Sequence, residues 1–218
     1  MKVEPIDKIV EIVQDENLVN KIQERLPIMF EYAKVMGSRG GKQSPEVGVH
    51  RERALIALLI YHFGEKNIDD TDSGQTPELD VKLFDLLISI KTITGDLGGI
   101  KAFWSADETS SDAFIENYEP SCDIILVQIP DFKADRHAGN FFLIPLRVQE
   151  EILAEMGCDD YLKKLGAGTN MRGVEFLKDA MERMTRHDET ASIVIPWSEN
   201  IDIDFDPTAE WVRRWTEN

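Results

Sequence analysis

The hydrophobic period of the chain changes at residue 79. Upstream, apolar residues recur at helical spacing: Ile6, Ile9, Val10 and Val13 behind Pro5, and again along HRERALIALLIYHF. From Leu79 onward, ELDVKLF and LLISIKTI alternate apolar and polar side chains and are rich in β-branched residues, the pattern of short strands. A chain that begins with helices and continues with strands and interposed helices has few ways to bury both kinds of face. The expectation is an α/β fold: an α+β mixed sheet of roughly five or six strands flanked by helices.

The other elements follow the same logic. A second helix runs from about Leu18 to Met36, and Pro27 is expected to break or kink it. GSRGGKQSPEVG reads as loop, and Gly64 as the stop of the helix after it. Phe84-Asp85 marks the bend between the two strands, and Gly98-Gly99 precede a third, IKAFW. Ser105 caps a helix reaching about Tyr118, with Glu108 in the capping-box position. CDIILVQIP and GNFFLIP are strands by their apolar runs, and RVQEEILAEMG is a helix. KKLGAGTNMRG is a loop, VEFLKDAMERM a helix and ASIVIPW a strand before an acidic tail with tryptophans. The 218 residues make one domain. Residues 1–49 are its helical part and a basic loop, 50–145 its core, and 146–218 its C-terminal helices, strand and tail.

Composition excludes several classes. With 42% hydrophobic residues the chain can build a core, so it is not disordered. The N-terminus lacks a basic segment followed by an apolar run, and Ala54 to Phe63 falls far short of the about 20 residues that span a bilayer. No membrane partner and a cytoplasmic location are expected. Cys122 and Cys158 are far apart and neither begins a CxxC, so neither a disulfide framework nor a zinc site is indicated. The net charge of −17 opposes general binding to phosphates. The exception is local: Lys34, Arg39, Lys42, Arg51 and Arg53 face only Glu46 and Glu52 in the same stretch.

The strand pair carries the candidate chemistry. Alternation places Glu78, Asp80 and Lys82 on one face of the first strand, and Leu87, Ser89 and Lys91 on one face of the second. A tight hairpin brings Asp80 and Lys91 together. Hydrolysis of a phosphodiester needs a divalent cation to neutralise phosphate and acidify water. Mg²⁺ takes oxygen ligands and few carboxylates, so Asp80 and the backbone carbonyl of Ile90 are candidate ligands. Lys91 is placed to stabilise charge on the attacking hydroxide or the phosphate.

An acid at the end of one strand and acid-x-Lys on the next is similar to the PD-(D/E)XK nuclease motif. Asp80 matches the first acid and Lys91 the lysine. Ser89 stands in place of the second acid, and Leu79 in place of the proline. The segments ISIKTITG, FIENYEPSCDIILVQI and GTNMRGVEFLKDAM resemble the ThaI-type restriction endonucleases. The resemblance implies a restriction-endonuclease-like core and Mg²⁺-dependent cleavage of double-stranded DNA at a short palindrome. It also implies a homodimer and a cognate DNA methyltransferase in the same system. Four acids are candidates for the place left at Ser89. Glu78 shares a strand face with Asp80. Asp107 and Glu108 fit a downstream helix used by some Ser-x-Lys enzymes, although the capping box already explains Glu108. Glu52 lies in the helix before the hairpin, from which such folds present a glutamate; a charge near a helix N-terminus explains it equally well. Candidate DNA contacts are Arg39, Lys42, Gln43 and Arg51 in and after the basic loop, and Asn170 and Arg172 in the later glycine loop.

Two other readings remain at this level. One is a repair or junction nuclease on the same scaffold. The other is a non-catalytic acidic binder, such as a DNA mimic, which the negative charge and Ser89 favour and Lys91 opposes.

Overall fold

A computed structural model of the chain describes residues 5–39, 42–43, 46–71, 78–104, 108–134, 138–165, 173–199 and 201–216. The N-terminal layer contains α1 (Pro5–Gln14), α2 (Glu16–Met36), a two-residue ribbon β1 (Ser38–Arg39) and β2 (Lys42–Gln43), and α3 (Glu46–Phe63). Asp15 caps α2 by accepting the Asn17 and Leu18 amides. Of the two outcomes expected at Pro27, a break does not occur: the helix runs through it. Leu26, Pro27 and Phe30 are all buried there, and this burial outweighs the lost helical hydrogen bond.

The main sheet has six strands in the order β11-β8-β7-β5-β4-β3. In chain order these are β3 (Ile68–Asp69), β4 (Val81–Leu83), β5 (Leu86–Thr94), β7 (Asp123–Ile129), β8 (Ala138–Ile144) and β11 (Ala191–Pro196). Among its described strands only β5 and β7 pair in parallel. The expected mixed sheet is therefore present. Side-chain alternation feeds two cores. On β7, Ile125, Val127 and Ile129 face the N-terminal helices with Val81, Ile88 and Ile90. Ile124 and Leu126 face the opposite way, onto α5 (Leu146–Met156) and α7 (Lys178–Arg186), through Val148, Ile152, Met181 and Met184.

A second sheet, β6-β10-β9, joins β6 (Lys101–Trp104), β10 (Gly173–Phe176) and β9 (Leu162–Lys164). It corrects two expectations: Lys163 and Lys164 are strand rather than loop, and Val174 to Phe176 are strand rather than the start of a helix. Val174, Glu175 and Phe176 are all buried in the central strand. Glu175 tolerates this position because Lys101 pairs with it and Lys163 Nζ lies 3.6 Å away. Two short helices, α4 (Glu108–Glu116) and α6 (Cys158–Tyr161), flank this sheet. The tail, to which the sequence reading assigned no element, carries α8 (Pro207–Thr216). Among the described residues no helix is long and apolar enough to cross a membrane.

Candidate active site

The hairpin expected from sequence forms. Val81 pairs with Ile88 and Leu83 with Leu86, which leaves Phe84 and Asp85 as a two-residue turn. Phe84 holds φ 55° there, because hairpin turns of this length need a positive φ at the first central position. Its ring lies edge-on to Phe63 at the end of α3.

Asp80 sits one residue before β4, with its amide donating to the Ile88 carbonyl at 3.0 Å. Its Oδ2 accepts the Ile90 amide at 2.6 Å and the Ser89 hydroxyl at 3.3 Å. Lys91 Nζ lies 3.8 Å from the same oxygen, and both side chains are mostly buried. Asp80 Oδ1 has no partner among the described residues. Asp80, Ser89 and Lys91 are thus brought to one end of the sheet. Ser89 is 1% exposed, and its hydroxyl serves Asp80. Ile90 meets Asp80 through its N–H. In an extended strand the C=O of a residue points to the same flank as its N–H, so the Ile90 carbonyl is directed toward residues 78–80.

Glu78 does not continue the alternation of β4. Its φ is 71°, so the extended geometry starts after it, and the expectation that Glu78, Asp80 and Lys82 share a strand face fails at Glu78. The carboxyl instead accepts the Tyr118 hydroxyl at 2.7 Å and the Ser121 hydroxyl at 3.2 Å. Burial pushes it above the ordinary carboxyl range, against the pull of the Tyr118 hydrogen bond and the Lys91 charge. Tyr118 is itself buried against Tyr161 and Phe114. Tyr118 and Ser121 were not singled out from sequence. Both lie in FIENYEPSCDIILVQI, so the family resemblance held the only signal. Beside them Cys122 is buried, and its thiol is pushed up to about 11 by that burial.

Glu52 is half-buried in the second turn of α3. Burial raises its carboxyl, Asp80 raises it further, and Lys91 and Arg53 draw it down. Its carboxylate has no hydrogen bond or ion pair among the described residues. Two carboxylates therefore repel each other across one site, with a lysine as the nearby cation, which is the electrostatic condition that suits a bound divalent ion. No group of three or more His, Cys, Asp or Glu side chains that could hold a metal occurs among the described residues. The oxygen donors are two carboxylates and one backbone carbonyl, and a hard cation that keeps much of its water fits such a set.

The remaining candidates are scattered. Asp107, Asn170 and Arg172 lie outside the described residues, and Glu108 begins α4 with its side chain outside them. Arg39, Lys42 and Gln43 fall on the β1–β2 ribbon, where Arg39 pairs with Lys42 and Ser38 with Gln43. The stretch read as loop is thus partly a ribbon. Arg51 lays its guanidinium over the Phe30 ring, 5.5 Å from the centroid, and its Nε is buried without a hydrogen-bond partner among the described residues.

A mixed sheet between helical layers, with acid and lysine meeting at the open end of a hairpin, defines a nuclease of the PD-(D/E)XK kind. The sequence model described as "Restriction endonuclease ThaI" matches residues 12–217. A solved structure, "Restriction endonuclease in complex with substrate DNA", is similar at 40% identity with a TM-score of 0.87. The match covers 97% of this chain and 100% of that one. No curated protein matches the chain. The chain belongs to the ThaI restriction endonuclease family, and so to the type II site-specific deoxyribonucleases. This membership sets aside the non-catalytic acidic binder.

Proposed function

We propose that the chain is a Mg²⁺-dependent restriction endonuclease that hydrolyses phosphodiester bonds of double-stranded DNA at a short palindrome, acting as a homodimer. The carrying observation is the meeting of Asp80 with Lys91 at 3.8 Å, with Glu52 close enough to feel both charges. The solved relative was captured with its substrate DNA, which supports duplex DNA as the substrate here. A palindromic target matches a twofold enzyme. A companion DNA methyltransferase is expected, because a site-specific nuclease otherwise cuts its own host's DNA.

Asp80, Glu52 and the Ile90 carbonyl would hold the metal. Mg²⁺ bound there supplies neutralisation of the scissile phosphate and a water of lowered pKa. The chain's own residues do the rest. The Ile90 amide and the Ser89 hydroxyl hold Asp80 Oδ2, which leaves Oδ1 open for the ion. Glu52 fills the place that Ser89 leaves in the motif. Glu78 is the weaker choice, because both of its oxygens are already engaged by Tyr118 and Ser121. Lys91 lies largely out of water and offers a cation to the attacking hydroxide or to the phosphate oxygens, where low dielectric strengthens it. The basic stretch around the β1–β2 ribbon is the surface offered to the DNA backbone, with Arg39, Lys42 and Gln43 as reading groups.

Incubation of the purified chain with phage DNA and Mg²⁺ tests this reading. Discrete fragments, lost on chelation, are expected. A smear, or intact duplex at all enzyme levels, overturns site-specific cleavage and favours the repair-nuclease alternative. Asp80→Ala and Lys91→Ala should each abolish cutting, with Lys91→Ala retaining specific binding in a gel-shift assay.

A further inference from the structure

Glu78 stands two residues before Asp80, and its backbone is strained. Its φ of 71° lies in the left-handed region, which a non-glycine residue keeps only where its surroundings fix it. Asp80 itself is fixed on one side by β5. Its amide donates to the Ile88 carbonyl, and its Oδ2 accepts the Ile90 amide and the Ser89 hydroxyl. Upstream, Leu79 is buried and Glu78 carries the next polar attachment.

That attachment reaches across the molecule. Glu78 Oε1 accepts the Tyr118 hydroxyl at 2.7 Å, and Oε2 accepts the Ser121 hydroxyl at 3.2 Å. Both donors belong to the segment between α4 and β7. Tyr118 is a fixed post. It is buried, and its ring packs against Phe114 of α4, Tyr161 of α6 and Phe176 of β10, with centroids 5.2, 5.8 and 6.5 Å away. Tyr161 and Phe176 are themselves buried to within 1%. A ring so enclosed offers its hydroxyl in one direction only. A hydroxyl bonded to a carboxylate largely out of water makes a strong, short contact.

We propose that Tyr118 is a positioning residue of this nuclease: through Glu78 it pins the chain entering β4, so that Asp80 keeps Oδ1 directed at the metal site. The start of a hairpin strand needs neither a left-handed residue nor a buried acid. Here both occur at Glu78, two residues from Asp80, and both are held by the same tyrosine. Released from Tyr118, residue 78 relaxes toward an ordinary φ, and the chain that follows turns with it. The second sheet thereby gains a share in the site, because Phe176 of its central strand backs the tyrosine. Groups that hold a metal's ligands in place typically govern about 10–100-fold in metal affinity. The role in metal binding rests on the metal-dependent reading above, so the test measures binding apart from cleavage.

Mn²⁺ takes the same oxygen donors as Mg²⁺ and has a paramagnetic resonance signal that falls on binding. Titration of the full-length chain with Mn²⁺, joined to amide hydrogen exchange, tests the tether. Uptake by Asp80→Ala gives the background from the rest of this acidic chain. Above it, Tyr118→Phe should weaken Mn²⁺ binding by about tenfold. The Asp80 and Ile90 amides should exchange faster, while those of β8 exchange as in the wild type. Glu78→Ala cuts the tether at its other end and carries the same prediction. Glu78→Gln still accepts the Tyr118 hydrogen and should restore binding and exchange. Wild-type Mn²⁺ affinity in Tyr118→Phe overturns the proposal. So does faster exchange throughout β8, because weaker binding then follows from general loosening. Binding lost in Glu78→Gln but kept in Tyr118→Phe makes Glu78 a ligand and overturns it too, as does a wild type that binds no more Mn²⁺ than Asp80→Ala. Cleavage of phage DNA is scored separately. A chain whose Mn²⁺ binding responds to Tyr118→Phe but which leaves phage DNA intact overturns the nuclease reading and leaves the tether standing. Discrete Mg²⁺-dependent fragments, with Mn²⁺ binding indifferent to Tyr118→Phe, do the reverse.

Discussion

The Ser89 hydroxyl donates to Asp80 Oδ2 at 3.3 Å from a position that is 1% exposed. The residue that replaces the motif's second acid is therefore a buried donor to the first acid. A hydrogen bond to a charged group is worth about 1.5–3 kcal/mol, and Asp80 keeps the Ile90 amide when Ser89 is lost. Ser89→Ala should slow single-turnover cleavage by about tenfold. Ser89→Asp places a buried carboxylate against Asp80 and should slow it further, by more than about a hundredfold. Faster cleavage by Ser89→Asp would mean that position 89 is a true vacancy for an acid.

Glu52 and Glu78 separate by their partners. Glu52 has none among the described residues and feels Asp80, whereas Glu78 is held by Tyr118 and Ser121. Glu52→Gln should reduce cleavage by more than about a hundredfold and weaken Ca²⁺ binding to the enzyme–DNA complex in calorimetry. Glu78→Gln keeps an acceptor for Tyr118 and should retain cleavage within about tenfold. The opposite ranking would return the second ligand to Glu78.

The hairpin was legible because its information is local. Alternation over residues 79–83 and 86–93 sets the faces, and Phe84-Asp85 sets the turn. The partner strands β7, β8 and β11 were equally plain from continuous apolar runs. What stayed hidden depends on distant residues. Nothing near Glu78 tells of Tyr118, forty residues later, and the positive φ at Glu78 removes the period on which the face assignment relied. Val174 and Phe176 were read into the helix that follows because a four-residue strand is too short to show its own period. The second sheet that claims them is built from three separated segments.

Asp123 yields a stability prediction away from the active site. It lies on β7, is 7% exposed, and accepts the Leu146 amide at 2.7 Å at the start of α5. Burial raises its carboxyl above 3.8 and outweighs the lowering by the Leu146 amide and Arg147. A raised carboxyl favours its protonated form in the folded state. The stability it contributes is complete below the unfolded pKa and is lost as pH rises through the folded one. Asp123→Asn keeps an acceptor and removes the charge. Its Tm should match the wild type below the ordinary carboxyl range and exceed it increasingly as pH rises toward neutrality. A constant difference would show that folding does not shift the Asp123 carboxyl, and one that grows toward acid would show that Asp123 is stabilised as the anion.

Gly139 marks a place where the sheet and the tail approach too closely for any side chain. On β8 it pairs with Ile195 of β11, and a Cβ there would lie 2.2 Å from the Gln128 carbonyl oxygen and 2.4 Å from Trp197 Nε1. The Trp197 ring is packed against Phe30, with centroids 5.7 Å apart, so it has little room to withdraw, and the carbonyl belongs to β7. Overpacking of this kind costs about 1–3 kcal/mol. Gly139→Ala should lower Tm in a thermal melt by roughly 2–4 °C for each kcal/mol lost. Combining it with Trp197→Phe should recover only part of the loss, because the clash with the Gln128 carbonyl remains. An unchanged melt for Gly139→Ala would mean that β7 and β8 can part at this point, and full recovery in the double variant would place the whole strain on the indole.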